Sequence, residues 1–246
     1  MNEATVEGRQ PVLEALKAGK KIKKIYVAEG SRGDTIRSIL EHADNLGIKV
    51  VWADKRDLER VAKTSEHQGV VALAEPLEYV GLEDILDRAQ DSGRDPFVLA
   101  LDQIQDPQNL GSIIRTAEAS GVHGVVIPKK RAAQITPAVV KASAGAVYYV
   151  PVSQHNIALA LDFFRGQGLK IIGADKDGDA VCYKADLKGP LVLVIGSEGK
   201  GMRNLVRKKC DVLVSIPMLG NTNSLNAANA AAVLMYEVLR QRMFEG

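Results

Sequence analysis

Five short apolar runs in the C-terminal part of the chain constrain its fold more than any other feature. They occupy residues 97–101, 124–127, 170–174, 191–195 and 212–216. Near-continuous apolar strands are typical of a parallel sheet that is covered on both faces. Helical patterns lie between the runs, at 111–120, 137–142, 157–164 and 202–209, and a long helix is predicted from Leu225 to Arg242. This alternation predicts an α/β fold with ligands at the carboxyl ends of the strands.

The N-terminal part has its own alternation of shorter elements. Helices are predicted within residues 12–16, 35–46 and 56–62, and strands within 23–28, 48–52 and 69–74. The sequence therefore predicts a small α/β domain over residues 1–75. An acidic linker with one amphipathic helix, 82–89, is expected at 76–95, and the second domain at 96–246.

Charge and composition permit several partners without selecting one. The net charge is +2, but residues 72–95 carry 2 Lys/Arg against 7 Asp/Glu and separate two mildly basic lobes. A mild basic excess is compatible with nucleic-acid binding and does not require it. No apolar run has the length of a membrane span, and the polar N-terminus does not resemble a signal peptide. Cys182 and Cys210 lack metal-site spacing, so we expect no metal and a reduced, cytoplasmic location.

The first polar constellation follows the strand that ends at Leu101. A turn rich in Asp, Gln and Asn leads into a helix, for which Asn109 is a plausible N-cap. Arg115 follows in the second turn, and its planar guanidinium suits phosphate or carboxylate. A capped helix with a surface arginine is the alternative interpretation.

The second constellation follows the strand that ends at Ile195. Gly196, Gly199 and Gly201 surround Glu198 in a short loop, and glycines allow positive φ and close approach of a ligand. The loop matches neither G-x-G-x-x-G nor a Walker motif. Glu198 could bind a ribose or a basic group, or could be an exposed acid in a glycine-rich turn.

The third constellation follows the last strand. Ile216-Pro217-Met218 leads into a Gly/Asn-rich loop, and an alanine-rich helix then opens. Ser224 is a natural N-cap, which places Asn226 in the first turn. Two hydrogen-bonding side chains at a positive helix end predict a site for a polar ligand.

Together and in this order, the three constellations resemble the SpoU, or TrmH, branch of the SPOUT methyltransferases. The first family motif is filled by Asp106, Pro107, Asn109, Gly111, Arg115 and Gly121, the second by Gly196, Glu198 and Gly201, and the third by residues 216–218 and 224–226. Ala227, where the family often has Val, is a small departure that concerns packing.

This resemblance implies a SPOUT fold with a trefoil knot, S-adenosylmethionine as methyl donor, a ribose 2′-hydroxyl as acceptor and a homodimer formed through the C-terminal domain. It assigns catalysis to Asn109, Arg115, Glu198, Ser224 and Asn226. It assigns cofactor binding to Leu193, Ile195, Gly196, Gly201, Ile216, Met218, Ser224 and Leu225.

The role of Arg115 is open between two chemistries. The family's arginine is sometimes named as general base, but a guanidinium has a pKa above about 12 and is normally only a donor. Energetics therefore favour an Arg115 that holds an RNA phosphate and stabilises the developing alkoxide.

The N-terminal lobe resembles the substrate-binding domain of the RlmB-like ribosomal RNA methyltransferases, through residues 8–16 and 67–69. This implies an RNA partner, with Arg9, Lys23, Lys24, His67 and Arg115 as candidate contacts. A solvated basic loop and a structural histidine are the alternatives. The implied substrate is a guanosine of 23S rRNA, with a tRNA guanosine or an rRNA adenosine as alternatives.

Two other classes of function compete with this interpretation. A nucleotide-dependent oxidoreductase is disfavoured because the chain lacks the G-x-G-x-x-G opening and its later acidic residue. A non-catalytic RNA-binding assembly factor is disfavoured because Asn109, Arg115, Glu198, Ser224 and Asn226 are all present.

Overall fold

A computed structural model describes residues 3–64 and 66–244. In chain order its elements are β1 (Ala4–Glu7), α1 (Arg9–Lys17), β2 (Ile22–Ala28), α2 (Asp34–Asn45), β3 (Lys49–Ala53), α3 (Lys55–Val61), β4 (Val70–Ala74), α4 (Leu82–Ser92), β5 (Phe97–Asp102), α5 (Pro107–Ala119), β6 (Gly124–Ile127), α6 (Pro137–Ala142), β7 (Val152–Gln154), α7 (Ile157–Gly166), β8 (Lys170–Ala174), β9 (Ala180–Val181), β10 (Leu191–Gly196), α8 (Asn204–Arg207), β11 (Val212–Ser215) and α9 (Ala227–Phe244). Short 3₁₀ helices span Ala146–Tyr148 and Cys182–Lys184.

The chain divides into two compact units. The first holds the residues up to Glu78 together with Ile135–Tyr149, and the second holds Tyr79–Gln134 and the residues from Val150 onward. No helix among the described residues is both long and apolar enough to span a bilayer.

The first unit is built on a four-stranded sheet in the order β1-β4-β2-β3. β4 is antiparallel to β1 and β2, whereas β3 is parallel to β2. The apolar faces of α1 and α2 are buried, as their period predicts. The predicted alternation of helices and strands in this lobe is therefore present.

β1 was not predicted, and its charge explains why. Glu7 lies at the end of this strand and is 2% exposed. Its carboxylate accepts hydrogen bonds from the backbone N–H groups of Lys63 and Thr64 and from the hydroxyls of Thr64 and Thr5. The strand is largely buried, but its sequence contains an acidic residue, and a charged residue does not predict a buried strand. The four hydrogen-bond donors make burial of this acid possible.

The segment 135–149 packs in the first unit, although sequence reasoning placed it in the second domain. The hydroxyl of Tyr149 donates to the carboxylate of Glu14 at 2.7 Å. Gly145 has φ +88°, and a Cβ there would lie 2.6 Å from the Cβ of Glu14. These contacts are distant in sequence, so local patterns do not indicate them.

The second unit contains a seven-stranded parallel sheet in the order β7-β6-β5-β10-β8-β11-β9. All five predicted apolar runs are strands of this sheet. β5, β6 and β10 are buried at every position, as expected for strands covered on both faces.

α4 lies within the segment that we expected to be a linker. Its Leu82, Ile85 and Ala89 are buried, and Leu82 and Ile85 belong to the core of the second unit. A Cβ at Gly124 would lie only 2.5 Å from Ile85, so β6 needs a glycine where this helix packs. Four of the seven acidic residues of the segment 72–95 lie at exposed positions of α4, away from its buried face.

The connection between β8 and β9 crosses directly over β11, which lies between these two strands. The backbone N–H of Asp175 donates to the carbonyl of Val214 at 2.9 Å. A Cβ at Gly178 would lie 2.7 Å from the carbonyl carbon of Val214. The crossing is therefore a backbone-to-backbone contact that only glycine permits.

Candidate functional site

The first two constellations start side by side at the centre of the parallel sheet. β5 and β10 pair in register, with Gly196 opposite Asp102. The loops that follow these strands therefore leave the same edge, as parallel topology requires. The turn before α5 therefore lies next to the glycine-rich loop. The sequence alone did not establish that these two segments are neighbours.

Asn226 joins the third constellation to the other two. Its side-chain Nδ2 donates to Oδ1 of Asn109 at 3.0 Å and lies 3.4 Å from Oε2 of Glu198. Its Oδ1 accepts from the backbone N–H of Ala228 at 2.9 Å. Each end of the amide thus has a distinct partner, and three separated segments meet at one side chain.

The helix caps differ from the predicted ones. α9 begins at Ala227 rather than at Leu225, and Asn226 rather than Ser224 caps it. Likewise Asp106, not Asn109, is the N-cap of α5, since its carboxylate accepts from the N–H groups of Gln108 and Asn109. Both segments offer several residues able to cap, and only the backbone path selects among them.

The shape of the glycine-rich loop depends on Gly196. A Cβ there would lie within 2.6 Å of three backbone atoms of Gly201 and Met202. Ser197 and Gly201 exchange two backbone hydrogen bonds, at 3.1 and 2.8 Å. Gly199 and Gly201 have positive φ, +76° and +67°. The loop therefore folds back tightly on its own strand.

An ion pair between a buried carboxylate and a partly exposed guanidinium, which the sequence did not predict, anchors this loop. Asp102 is fully buried and accepts from the backbone N–H of Arg203 at 2.7 Å and from its Nε at 2.8 Å. The guanidinium NH2 group of Arg203 lies 2.7 Å from the same carboxylate. The acidic residue at the end of an apolar strand could have indicated a buried ion pair. Its partner could not be identified from the sequence, because it lies 101 residues away.

Three cavities adjoin at this edge. The glycine-loop cavity, of about 630 Å³, contains Ile195, Gly196, Gly201, Ser224 and Leu225 in its wall. The small Met218 cavity, of about 100 Å³, is lined by Ile216 and Met218 and shares Ser224 and Leu225. Seven of the eight predicted cofactor residues thus line two cavities with common walls, and Leu193 lies deeper, buried within β10.

The Asn109 cavity, of about 280 Å³, lies on the other side of the glycine-rich loop. Asn109 and Gln103 line it. It shares Ser197, Glu198, Lys200 and Ala227 with the glycine-loop cavity. Glu198 therefore stands where the two cavities meet.

Arg115 is not brought into this group. It is exposed on α5 and lines none of the three cavities at this edge of the sheet. Six residues of α-helix turn a side chain about 120° away from that of Asn109, so the two cannot share one face.

Asp175 is a cavity residue that sequence reasoning missed. It follows β8 directly, lines the glycine-loop cavity and accepts from Nε of Arg207 at 2.7 Å. Burial raises its pKa, but the hydrogen bonds from Arg207 and from the backbone of Asp177 outweigh that effect and hold the pKa below its usual value. A charged acceptor is thus maintained in the wall of the cavity.

The candidate RNA contacts of the first unit mostly have partners within the unit. His67 is buried, and its Nδ1 accepts from the backbone N–H of Gly69 at 3.1 Å. Arg9 donates to the carbonyls of Gln68 and Arg32 at 3.1 Å. Lys23 pairs with Glu3 at 3.0 Å, and Lys24 lies over the ring of Tyr26. The arginine and the histidine therefore hold loops together.

These cavities suit an adenosine-like ligand with a charged tail. Ile216, Met218 and Leu225 supply apolar surface, the bare backbone at Gly196 permits close approach, and Asp175 can accept hydrogen bonds from hydroxyl or ammonium groups. Within residues 3–64 and 66–244, no group of three or more His, Cys, Asp or Glu side chains is arranged to hold a metal ion.

Comparisons with known proteins identify the family of this chain. Residues 96–236 match the SpoU rRNA Methylase family, and residues 5–80 match the family described as RNA 2'-O ribose methyltransferase substrate binding. The chain is 43% identical over 238 residues to YacO of Bacillus subtilis, which is named as a TrmH family tRNA/rRNA methyltransferase. That match covers 96% of this chain and 95% of YacO.

Two solved structures are similar along almost the whole chain. The SpoU methyltransferase AviRb from Streptomyces viridochromogenes, in complex with AdoMet, has a TM-score of 0.82 and 28% identity, and the match covers 98% of this chain and 91% of AviRb. An AdoMet-bound rRNA methyltransferase from Sinorhizobium meliloti has a TM-score of 0.77 and 27% identity, covering 97% and 87%. The chain therefore belongs to the SpoU methyltransferase family, and it is an RNA methyltransferase that uses S-adenosylmethionine.

Proposed function

We propose that the protein methylates the ribose 2′-hydroxyl of a guanosine in 23S ribosomal RNA, in the cytoplasm. The observation that carries this proposal is the shared wall between the two larger cavities, where Glu198 contacts Asn226 and Asn226 contacts Asn109. A cavity for the donor and a cavity for a nucleotide that meet at polar side chains suit direct transfer between two bound reactants.

In this proposal the glycine-loop and Met218 cavities hold S-adenosylmethionine, which supplies an electrophilic methyl group when bound. Gly196, Ile216, Met218 and Leu225 surround its adenosine part. Ser224 lies in the loop that leads into α9 and contributes to the same wall. Leu193 is buried within β10 and lines neither cavity.

The Asn109 cavity holds the target ribose. Asn109 and Asn226 are fixed by their mutual hydrogen bond, and Glu198 provides an acceptor for a ribose hydroxyl or its proton. Positioning of two reactants can lower a barrier by up to roughly 7–11 kcal/mol in the best cases. The side chains at this junction therefore act mainly by orienting the 2′-oxygen.

Arg115 binds an RNA phosphate in this proposal and does not act as a base. Its exposed position on α5 is compatible with contact to RNA outside the cavities. A permanently charged, planar donor suits that task.

The resemblance to the family also underlies two structural proposals. The crossing of the β8–β9 connection over β11 supports a trefoil knot. A homodimer formed through the C-terminal domain is supported by α9, where Tyr236 is 50% exposed. Light scattering at working concentration tests the dimer, since a monomer would contradict it.

Ribosomal RNA is favoured over transfer RNA by the first unit. Residues 5–80 match a substrate-binding family, and the structure from Sinorhizobium meliloti, named as an rRNA methyltransferase, is similar over both units.

Transfer of labelled methyl groups to 23S rRNA, 16S rRNA and tRNA from cells that lack the modification tests the proposal. Mapping by mass spectrometry is expected to find 2′-O-methylguanosine in 23S rRNA only. Label only in tRNA would support the tRNA alternative, 2′-O-methyladenosine in rRNA would support the adenosine alternative, and base methylation would contradict ribose chemistry altogether.

A further inference from the structure

A loop of three consecutive cations lies at the same sheet edge as the Asn109 cavity. Lys129, Lys130 and Arg131, here called the basic loop, follow β6 and are all exposed. β6 pairs in parallel with β5, with Val126 opposite Ala100. The basic loop therefore leaves the sheet beside the loop that carries Gln103 and Asn109.

Two sets of hydrogen bonds hold the basic loop in place. The backbone N–H of Ala133 donates to the carbonyl of Ile104 at 2.8 Å, and Ile104 itself lines the Asn109 cavity. The side chain of Gln134 donates to the carbonyls of Pro128 and Ala132, at 3.1 and 3.0 Å. The ends of the loop are thus tied together and tied to the cavity wall.

The backbone of this region is also unusual. Arg131 has φ +59°, and Gln103 in the adjoining loop has φ +66°. Left-handed backbone is costly for residues other than glycine, and such strain clusters at functional sites. Arg131, the left-handed residue, is the last of three consecutive exposed cations.

Nothing in the described part of the chain neutralises these charges. None of the three side chains has a carboxylate within ion-pair distance among residues 3–64 and 66–244. Lys200 adds a further exposed cation in the wall of the Asn109 cavity. Neighbouring like charges repel one another, and phosphates bound beside them would relieve that repulsion.

We propose that Lys129, Lys130 and Arg131 bind backbone phosphates of the RNA strand next to the nucleotide that enters the Asn109 cavity. This inference rests on the proposed function, because it assumes that the cavity receives RNA. It gives the second unit an RNA-binding surface of its own. Contacts to phosphate position a strand without reading its sequence.

The test compares two variants that lose the same charge. Lys129→Gln/Lys130→Gln removes two of the three positive charges of the basic loop, and Lys184→Gln/Lys208→Gln removes the charges of two exposed lysines that line none of the three cavities. The probes are unmodified 23S rRNA and a single-stranded 30-mer oligoribonucleotide, with S-adenosylmethionine as a separate ligand. Binding is measured as a function of salt.

The loop variant is expected to bind both RNA probes roughly tenfold more weakly at 0.1 M salt. With the single-stranded 30-mer, its slope of log K against log salt is expected to fall by about 1.4. The control variant should bind within twofold of the unchanged protein. S-adenosylmethionine affinity and the rate at saturating RNA should not change. Lys129→Arg/Lys130→Arg, which preserves charge, should restore RNA binding.

Arg131→Asn provides an independent variant, because asparagine tolerates left-handed backbone. It should weaken RNA binding without lowering the melting temperature. Equal RNA affinity and salt slope in the loop and control variants would overturn the inference, even if the enzyme methylates rRNA. An enzyme that binds RNA through the loop but leaves rRNA unmethylated would instead contradict the proposed function alone.

Discussion

The side-chain amide of Asn226 donates a hydrogen bond to the side-chain oxygen of Asn109 at 3.0 Å, although 117 residues separate them. The same amide caps α9 through Ala228. One side chain therefore both starts the last helix and aligns the junction between two cavities.

Replacement of Asn226 is expected to separate these two tasks. Asn226→Ala should lower the free energy of unfolding by about 1 kcal/mol, through loss of the cap, and should abolish methyl transfer. Asn226→Asp keeps an oxygen for the cap but loses the donor to Asn109, so it should retain most of the stability and still be inactive. Denaturant titration and methyl-transfer assays measure both effects.

The matched control is Asn156→Ala at α7, where Asn156 caps the helix by accepting from Leu159 at 3.3 Å. It should be destabilised to a similar degree and remain active. Full activity in Asn226→Asp would show that the bond to Asn109 is dispensable.

Gly196→Ala should prevent the glycine-rich loop from closing. The new methyl group would lie within 2.6 Å of backbone atoms of Gly201 and Met202, and backbone cannot move aside as a flexible side chain can. S-adenosylmethionine binding, measured by calorimetry, is expected to be lost. Gly199→Ala is the control, because it has open space around it and incurs only its positive φ of +76°, a cost of about 1–2 kcal/mol. Similar donor affinity in both variants would contradict this prediction.

Arg203→Met should leave the buried carboxylate of Asp102 without its guanidinium partner. Loss of one partner of a buried ion pair costs about 3–5 kcal/mol. We expect at most the lower end, because the Arg203 side chain is 44% exposed and the backbone N–H of residue 203 still donates to Asp102. Lys209→Met, which breaks a partly exposed pair with Asp162, should cost less than about 1 kcal/mol. Urea unfolding compares the two variants, and equal losses would count against an anchoring role for Asp102.

His123 should make stability fall in mild acid. The imidazole is 2% exposed, and burial, aided by the charges of Arg94, Arg242 and Arg88, lowers its pKa from 6.5 to about 4. The unfolded chain therefore binds the proton more readily between pH 6.5 and about 4. The free energy of unfolding should fall by up to ~1.4 kcal/mol per pH unit across this window as the pH is lowered.

His123→Leu checks this assignment by denaturant unfolding at several pH values. It removes the acceptor for the backbone N–H of Phe97, so it should be less stable at pH 7 while depending less on pH between 6.5 and 4. An unchanged slope in that window would assign the acid sensitivity to other groups.

Elements of the fold that depend on neighbouring residues could be predicted from the sequence, whereas elements that depend on distant contacts could not. The apolar runs of β5 and β10 predicted strands correctly, because a strand that is buried on both faces can be recognised from a short run of apolar residues alone. β1 was missed because Glu7, a charged residue, is satisfied by donors more than 50 residues away. The same limit explains why the packing of 135–149 in the first unit was not predicted.

The site shows the same division. Gly196 and Glu198 were predicted as site residues because ligands bind at the carboxyl edge of a parallel sheet; both line a cavity at that edge, and their roles stay predictions. The helix caps were misplaced by two or three residues, because capping depends on where the backbone enters the helix. Asp175 and the Asp102–Arg203 pair were missed because each depends on a partner that is distant in sequence.

By itself the sequence determined the α/β class, the strands of the parallel sheet and the motifs of the SpoU family, since periodicity, glycines and capping residues act over a few neighbours. Only the tertiary structure decided that Asn226 contacts Asn109, that Arg115 lies outside the cavities and that the β8–β9 connection crosses β11 at Gly178. Those features depend on strand order and on the close packing of distant backbone, which no local pattern encodes.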